Sequence, residues 1–285
     1  MGGTSAAEAV AHRLSAAFEA FCAAESRLRT LHDVESLHDA RVALRRMRAC
    51  LRVFSAVFAG DWSHALLEKI SELAAMYGPA RDADVVVANV AAVSERLEAH
   101  ARAASVELLA PMLEARLRAR RELVAFMDSP RYLEIVREAR AAVAEPQFRG
   151  CAARPARKLV CKLVSRSWKR LESDVRALSD APDAAALHAV RIRAKRCRYA
   201  AEVQIPVAGR RTHRFVHELG ELQDELGRIQ DAALERKWLA EFAQNAHHTS
   251  VASALDALLA ADVEAAKHDW RRAWKAARRT HRAFA

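Results

Sequence analysis

The chain has 285 residues, and its 46 Lys and Arg against 36 Asp and Glu give a formal net charge of +10 at pH 7. Apolar residues make up 52% and charged residues 29%, which supports a buried core and excludes wholesale disorder. With only 8 Gly and 7 Pro, a collagen-like or turn-rich all-β protein is also excluded. The excess of positive charge indicates a polyanionic partner.

No apolar run is long enough to cross a bilayer, and the amino terminus lacks the apolar segment of a secretory signal. The five cysteines are odd in number and form no Cys-x-x-Cys pair, which is typical of reduced thiols in a cytosolic protein. We therefore expect a cytoplasmic protein. The histidines show no metal-binding spacing, so we expect neither a metal nor another cofactor.

Apolar residues follow helical spacing almost throughout, which predicts an all-α fold of about ten helices. The stretch from Val85 to Val90 is the one plausible strand, but its flanks favour a buried turn of helix. Residues 180–183 predict a capped helix start. Breaks between helices are expected at 59–61, Gly78-Pro79, Ser129-Pro130, Glu145-Pro146, 180–183, 206–209 and 247–250.

An internal repeat is the most informative feature of the sequence. Residues 37–48 (LHDARVALRRMR) match residues 187–198 (LHAVRIRAKRCR) at an offset of 150 residues, with five of the twelve positions identical. A second pair of segments, Gly78 to Asp82 and Gly227 to Asp231, follows at an offset of 149 residues. We predict a duplicated helical bundle, with its first half in residues 1–147 and its second half in residues 148–285.

Each copy of the repeat carries an apolar stripe beside a basic stripe, both with the three- and four-residue spacing of a helix face. We name the basic stripe of the first copy the first seam: His38, Arg41, Arg45, Arg48 and Arg52. The second seam is the equivalent set in the second copy, where Glu202 takes the last position: His188, Arg191, Lys195 and Arg198.

The two seams differ from an ordinary solvated helix face. Exposed faces usually interleave Glu with Lys, because like charges four residues apart destabilise a helix. No acid occurs between Asp183 and Glu202, and Asp61 is the only one between Ala40 and Glu68. Two such stripes without interleaved acids, 150 residues apart in the sequence, favour an anion-binding surface.

Two further basic stretches, 154–170 and 267–282, are expected to contribute to this surface, although a cationic helix end also complements its own dipole. Within each stretch, several cations share one side of a helix: Lys158, Lys162, Arg166 and Lys169 in the first, and Arg271, Lys275 and Arg278 in the second.

The positions of a seam repeat about every 5 Å along the helix axis, which suits a linear chain of closely spaced phosphates. Arginine holds phosphate oxygens bidentately, and a charged imidazole donates from both nitrogens. Nucleic acid is the alternative partner. Proteins that bind single strands use exposed aromatic side chains for base stacking, whereas aromatic residues make up only 6% of this chain.

The two Leu-His-x-x-Arg-(Val/Ile)-x-x-(Arg/Lys)-Arg-x-Arg segments, each followed by Gly-x-x-x-Asp, resemble the CHAD family, the conserved histidine α-helical domain. The resemblance implies two helical-bundle halves with approximate two-fold symmetry around a basic central groove or pore. It also implies binding of inorganic polyphosphate and association with polyphosphate granules. The family's motif residues correspond to His38, Arg41, Arg45, Arg46 and Arg48, and to His188, Arg191, Lys195, Arg196 and Arg198.

The leading hypothesis is therefore a stand-alone, non-catalytic polyphosphate-binding module. The triphosphate-tunnel domain that is fused to many relatives has a Glu-x-Glu-x-Lys signature, which this chain lacks. No phosphate-binding loop and no nucleophile–base pair is evident, so we expect no enzymatic activity. A nucleic-acid-binding protein and a scaffold on polyhydroxyalkanoate granules are the alternatives. The oligomeric state and the preferred chain length stay open.

Overall fold

The computed structural model describes residues 4–31, 34–202, 205–243 and 246–284, which form nine α-helices and no β-strand. The predicted all-α fold is confirmed. A short 3₁₀ turn, Gly150–Ala153, connects the fifth helix to the sixth. The helices are α1 (Ala6–Leu31), α2 (Val34–Val53), α3 (Gly60–Ser94), α4 (Ala99–Met127), α5 (Pro130–Ala144), α6 (Ala156–Arg176), α7 (Ala184–Glu202), α8 (Ile205–Phe242) and α9 (Ala246–Phe284).

The helices of the two halves pack in the same order. In the first half α1 packs on α2, α2 on α3 and α3 on α4; in the second half α6 packs on α7, α7 on α8 and α8 on α9. Corresponding helices also meet between the halves, as α1 with α6, α2 with α7, α3 with α8 and α4 with α9. This arrangement places α2 and α7, the helices that carry the two seams, against each other. The boundary between residues 147 and 148 stays a prediction.

The apolar stripes of the repeat are buried. Leu37, Leu44 and Met47 on α2 are fully buried, as are Ala194 and Cys197 on α7. The larger apolar core includes residues from α1 to α9, whereas the smaller one is built from α3, α4, α8 and α9. Because both halves contribute to both cores, the two halves are stabilised together.

Side chains cap the starts of α5 and α7. Ser129 caps α5, because its hydroxyl accepts a hydrogen bond from the amide of Tyr132 at 3.2 Å. A carboxylate oxygen of Asp183 accepts from the amide of Ala186 at 2.7 Å, which confirms the capped start predicted for this region. The valines at 85–90 lie within α3, where Val86 and Val90 are buried, as predicted.

The helix break predicted at Gly78-Pro79 is wrong, because α3 continues through Pro79 to Ser94. A proline inside a helix leaves a carbonyl of the preceding turn without its amide partner and crowds it. That carbonyl belongs to Ala75, and Nη1 of Arg41 donates to the neighbouring carbonyl of Ala74 at 2.6 Å. Tyr77 and Ala80 beside the proline are fully buried. Packing between α2 and α3 therefore overrides the local signal.

Candidate anion-binding site

The seams lie beside the buried stripes of α2 and α7, so most of their side chains are only partly exposed. Arg41, Arg45 and Arg48 on α2 are half-buried, and Arg52 at the end of the helix is exposed. The second seam is similar, since Arg191, Lys195 and Arg198 are half-buried and His188 is exposed. Long cationic side chains are thus held close to the core while their charged ends still reach solvent.

The two seams face each other across the boundary between the halves. Nε of Arg45 on α2 donates to the hydroxyl of Tyr199 on α7 at 2.8 Å. Burial lowers the pKa of Arg191, and the charge of Arg45 lowers it further. Burial and the charges of Arg191 and Arg45 also lower the pKa of Lys195 to about 7. The fold therefore brings together cations that are about 150 residues apart in the sequence.

The Gly-x-x-x-Asp segments support the seam arginines from the neighbouring helices. A Cβ atom at Gly227 of α8 would lie 3.0 Å from Nη2 of Arg191, and one at Gly78 of α3 would lie 3.7 Å from Nη1 of Arg41. One turn later, the charges of Asp231 and Asp82 favour the charged forms of Arg191 and Arg41. Glycine thus leaves room for a guanidinium to cross the helix, and the acid helps to hold it there.

The seams nevertheless retain a large excess of positive charge. Within the described part of the chain, six seam cations have no carboxylate oxygen within the 4.0 Å of an ion pair. These are Arg41, Arg45, Arg48, Arg52, Arg191 and Lys195. Burial and the charges of Arg52 and Arg41 lower the pKa of Arg48. Arginine stays protonated at physiological pH, so the lowered pKa means that the charged form of Arg48 is destabilised by its surroundings. A bound anion would offset this destabilisation.

Three seam nitrogens show this deficit directly. Nε of Arg48, Nε of Arg191 and Nε of Arg198 are buried and have no hydrogen-bond acceptor among the described residues. A buried donor without an acceptor destabilises the folded protein. Nε of Arg198 lies 3.3 Å from a carboxylate oxygen of Glu202, which is within the distance of an ion pair but is not a hydrogen bond.

The two histidines occupy equivalent places at one end of the seams. Burial and the charges of Arg81 and Arg45 lower the pKa of His38. Partial burial and the charges of Arg191 and Lys195 lower the pKa of His188. Nδ1 of His188 hydrogen-bonds to the amide oxygen of Gln230, which stands where the repeat has Arg81. Both imidazoles are therefore mainly neutral in the free protein at neutral pH.

The residues predicted on α6 separate into two groups. Arg166 lines a cleft of about 710 Å³ together with Arg52 and Arg196, at the end of the first seam. Lys162 and Lys169 are exposed on α6 and do not line this cleft. The side chain of Lys158 lies outside the described residues. Only one of the α6 predictions is thus placed beside a seam.

The residues predicted on α9 make other contacts. Nη2 of Arg271 donates to the carbonyl of Asp180 at 2.5 Å, and Nε of Arg278 lies 3.4 Å from a carboxylate oxygen of Glu172. Lys275 is exposed. These contacts are with α6 and with the connection before α7, so they do not join Arg271 or Arg278 to either seam.

The tryptophans of the basic helices α6 and α9 pack against other side chains and are not exposed to solvent as a stacking surface. Trp168 and Trp270 are each 3% exposed, and the ring of Trp168 stacks on Trp274 with 5.0 Å between centroids. Trp168 and Trp270 are therefore core residues. Stacked and buried indoles are not available to bases of a single-stranded nucleic acid.

Sequence reasoning missed several residues that complete the site. Asp82 and Asp231 belong to the repeated Gly-x-x-x-Asp segments, so the signal was present but was not assigned to the site. The others occur at one position only and have no repeat partner of the same type, which left no pattern to find. They are Arg81, Tyr199 and Arg149.

The comparisons with known proteins show the family and the fold of the chain. The family model of the CHAD domain matches residues 12–240. The chain belongs to the CHAD family. The crystal structure of the CHAD domain from the plant Ricinus communis is similar to this CHAD domain at a TM-score of 0.80 and 26% identity, over 97% of this chain and 92% of that chain.

A second solved structure, PptA from Streptomyces chartreusis, resembles this CHAD domain in fold. The TM-score is 0.79 and the identity 21%, over 95% of this chain and 100% of that chain. The comparison with curated proteins gave no significant match. No helix in the described part of this CHAD domain is apolar over a length that would cross a membrane.

Proposed function

We propose that this CHAD protein binds inorganic polyphosphate along its two facing seams without catalysing a reaction. One observation carries the proposal. The charge of Arg45 on α2 lowers the pKa of Arg191 and of Lys195 on α7, and no carboxylate in the described structure forms an ion pair with any of the three. A linear polyanion between α2 and α7 supplies the missing countercharge to both halves at once.

The same geometry explains why a polymer suits the site better than a single phosphate. Each seam offers a cation about every 5 Å of helix, so successive phosphates meet successive side chains. Multidentate arginine contacts are strong and do not titrate at physiological pH. Recognition of this kind depends on phosphate spacing and charge and needs no contact with a base.

The first test compares polyphosphate with single-stranded DNA of equal phosphate count, at about 50 and about 300 mM salt. We expect a strong preference for polyphosphate that persists at the higher salt concentration, because the seams form a shaped site. If both affinities are equal and fall together, the protein has a generic cationic surface and nucleic acid becomes the better candidate.

A charge-reversal pair tests the seams directly. The double variant Arg45→Glu, Lys195→Glu is expected to lose at least about hundredfold in polyphosphate affinity, because two opposed contacts become repulsive. The matched control is Arg118→Glu, Arg137→Glu, which reverses two exposed arginines on α4 and α5. Circular dichroism checks that both variants fold. Equal losses in the two double variants would refute the seam assignment.

We extend the proposal to two finer points. The protein is non-catalytic, so incubation with polyphosphate and Mg²⁺ or Mn²⁺ releases no orthophosphate above the level of a heat-inactivated control.

The protein is cytoplasmic and associates with polyphosphate granules by holding the polymer. A fluorescent fusion is expected to co-localise with stained granules, and the Arg45→Glu, Lys195→Glu fusion to remain diffuse.

A further inference from the structure

Among the residues that the structure describes, five arginines and no acid line the cleft at the end of the first seam. Its volume is about 710 Å³, and it lies between α2, α3, α6 and α7. Ser55, Ser63 and Ser167 add hydroxyl groups, and Leu67 and Leu163 contribute apolar parts of the wall. The five arginines are Arg52, Arg149, Arg166, Arg170 and Arg196. None of them forms an ion pair with a carboxylate of the described residues.

The position of Arg149 is fixed by the backbone. Its amide donates to the carbonyl of Val57 at 2.9 Å, and the amide of Ala59 donates to the carbonyl of Gln147 at 2.9 Å. Phe148 stacks on Phe58 with 5.3 Å between centroids. The segment that precedes α6 is therefore attached to the start of α3, and Arg149 is held at the cleft rather than left on a free loop.

The amino terminus of α3 also contributes to the cleft. Gly60, the first residue of α3, lines it, and a Cβ atom at Gly60 would lie 3.2 Å from Nη2 of Arg149. The first amides of a helix and its dipole favour negative charge. These amides add to the positive field of the arginines, and Asp61 in the same first turn opposes them.

The cleft continues the first seam electrostatically. The charges of Arg52 and Arg41 lower the pKa of Arg48, in addition to the effect of its burial. The charges of Arg52 and Arg170 act in the same way on Arg196, again in addition to burial. A continuous series of cations therefore runs from Arg41 through Arg48 and Arg52 into the cleft.

The equivalent end of the second seam is closed. Glu202 stands where the repeat has Arg52, and it forms ion pairs with Arg13 at 2.6 Å and with Arg198 at 3.3 Å. The cavity around Glu202, Arg13, Tyr199 and Arg46 is only about 70 Å³. One glutamate therefore neutralises two arginines at the place where the other end is open and positively charged.

We propose that the polyphosphate-binding path has a single continuation, through the cleft formed by Arg149, Arg166 and Arg170 together with Arg52 and Arg196, and that the end at Glu202 takes no phosphate. This inference rests on the proposed function, because it assigns the additional phosphates of the same polymer. The protein then contacts a chain asymmetrically, although its two halves are copies of one unit.

Arginine footprinting tests the asymmetry. The protein is treated with phenylglyoxal with and without long-chain polyphosphate, and modified arginines are identified by mass spectrometry. We expect protection of the exposed Arg166 and Arg170 and continued modification of Arg46, which is exposed at the opposite end. Protection of Arg46 equal to that of Arg166, or protection of seam arginines without protection of the cleft, would overturn the inference.

A triple variant gives an independent measurement. Arg149→Gln, Arg166→Gln, Arg170→Gln removes three exposed charges that lie outside both seams. We expect the affinity of this variant for long chains to fall by about tenfold or more. Its affinity should increase with chain length only until the polymer is long enough to cover both seams. The control, Arg102→Gln, Arg118→Gln, Arg137→Gln, removes the same charge elsewhere and is expected to keep the full length dependence.

The two proposals fail in different ways. If the wild-type protein does not bind polyphosphate, the proposed function itself is refuted. If the wild type binds but the cleft variant shows the same length dependence as the control, the seams bind polymer and the cleft assignment is refuted.

Discussion

The guanidinium of Arg191 lies so close to Gly227 that a Cβ atom there would be 3.0 Å from Nη2. At the equivalent pair in the first half, Gly78 and Arg41, the distance is 3.7 Å, which is an ordinary van der Waals contact. The two glycines therefore have different tolerance for a methyl group, although they belong to the same repeated segment. This difference allows one to serve as the control for the other.

Gly227→Ala is expected to weaken polyphosphate binding by about threefold to tenfold, because the methyl group displaces the end of Arg191 from its place between α7 and α8. Folding stability should be unchanged or slightly higher, since alanine is the better helix former by about 1 kcal/mol. Titration calorimetry and urea unfolding measure the two effects. Gly78→Ala should keep wild-type affinity; an equal loss there would contradict the explanation.

Lys195 is expected to make binding dependent on pH. Its pKa of about 7 in the free protein means that much of the population is neutral at pH 8. A bound polyanion favours the charged form, so binding takes up a proton and affinity falls as the pH rises from about 7 to 9. Calorimetry in buffers of different ionisation enthalpy measures this uptake. Lys195→Arg should bind with little proton uptake over the same range; an unchanged uptake would exclude Lys195 as its source.

Lys195 should also influence the stability of the free protein. The free energy of unfolding rises with pH wherever the unfolded chain holds more protons than the folded one. Between about pH 7 and its ordinary pKa of 10.5, Lys195 keeps its proton only in the unfolded chain. This group therefore makes the free protein more stable as the pH rises through that window.

Replacement of Lys195 by an uncharged residue should separate stability from function. Lys195→Met is expected to raise the free energy of unfolding at pH 6.5 by roughly 1–2 kcal/mol, because a poorly compensated, half-buried charge is removed. The same variant should bind polyphosphate more weakly. Urea denaturation at several pH values is the measurement, and Lys162→Met, at an exposed position of α6, is the control. A destabilised Lys195→Met protein would contradict the assignment.

Tyr199 is expected to orient Arg45 across the boundary between the halves. Tyr199→Phe removes the hydroxyl that accepts from Nε of Arg45 at 2.8 Å, while the ring that lies under Arg198 is retained. We expect about threefold to tenfold weaker binding and a stability loss of about 1 kcal/mol. A double-mutant cycle with Arg45→Gln checks the pairing, and additive losses in affinity would show that the two residues act separately.

A substitution at Asp84 should change the stability of the fold without changing the candidate site. Its side chain is fully buried and forms ion pairs with Arg116 at 2.6 Å and with Arg120 at 2.7 Å. Asp84→Ala leaves two arginines beside the interior without their countercharge and should lower the free energy of unfolding by about 3 kcal/mol. Polyphosphate affinity of the folded fraction should be unchanged. Thermal unfolding and titration at low temperature measure the two quantities.

The repeat made much of this architecture predictable. Two apolar stripes at one offset predict two buried helices, and Leu44 and Ala194 are indeed fully buried. The contact between the seams was not predictable from periodicity, because a helix pattern says which face is buried but not which helix covers it. The Arg45–Tyr199 hydrogen bond is therefore visible only in the structure, and so is the closed end at Glu202.

Local signals failed where packing decides the outcome. The Gly78-Pro79 pair is a strong breaker signal, yet α3 passes through it because both neighbours of Pro79 are buried in the packing of the helices. The charge on α6 and α9 was predicted as one surface, but Arg278 lies beside Glu172 of another helix. Arg149 precedes α6 in a connection that carries no periodic pattern, so its place at the cleft had no sequence signal.

The apolar core that is shared by the two halves restricts the movement of α2 against α7. Because both helices are embedded in this core, they cannot move apart without exposing residues such as Leu44 and Ala194. Under the proposed function, binding between these helices requires no opening step, so we expect it to be limited by diffusion and accelerated by long-range attraction. The association rate constant should then fall steeply with ionic strength, and saturation of the observed rate at high polymer concentration should be absent.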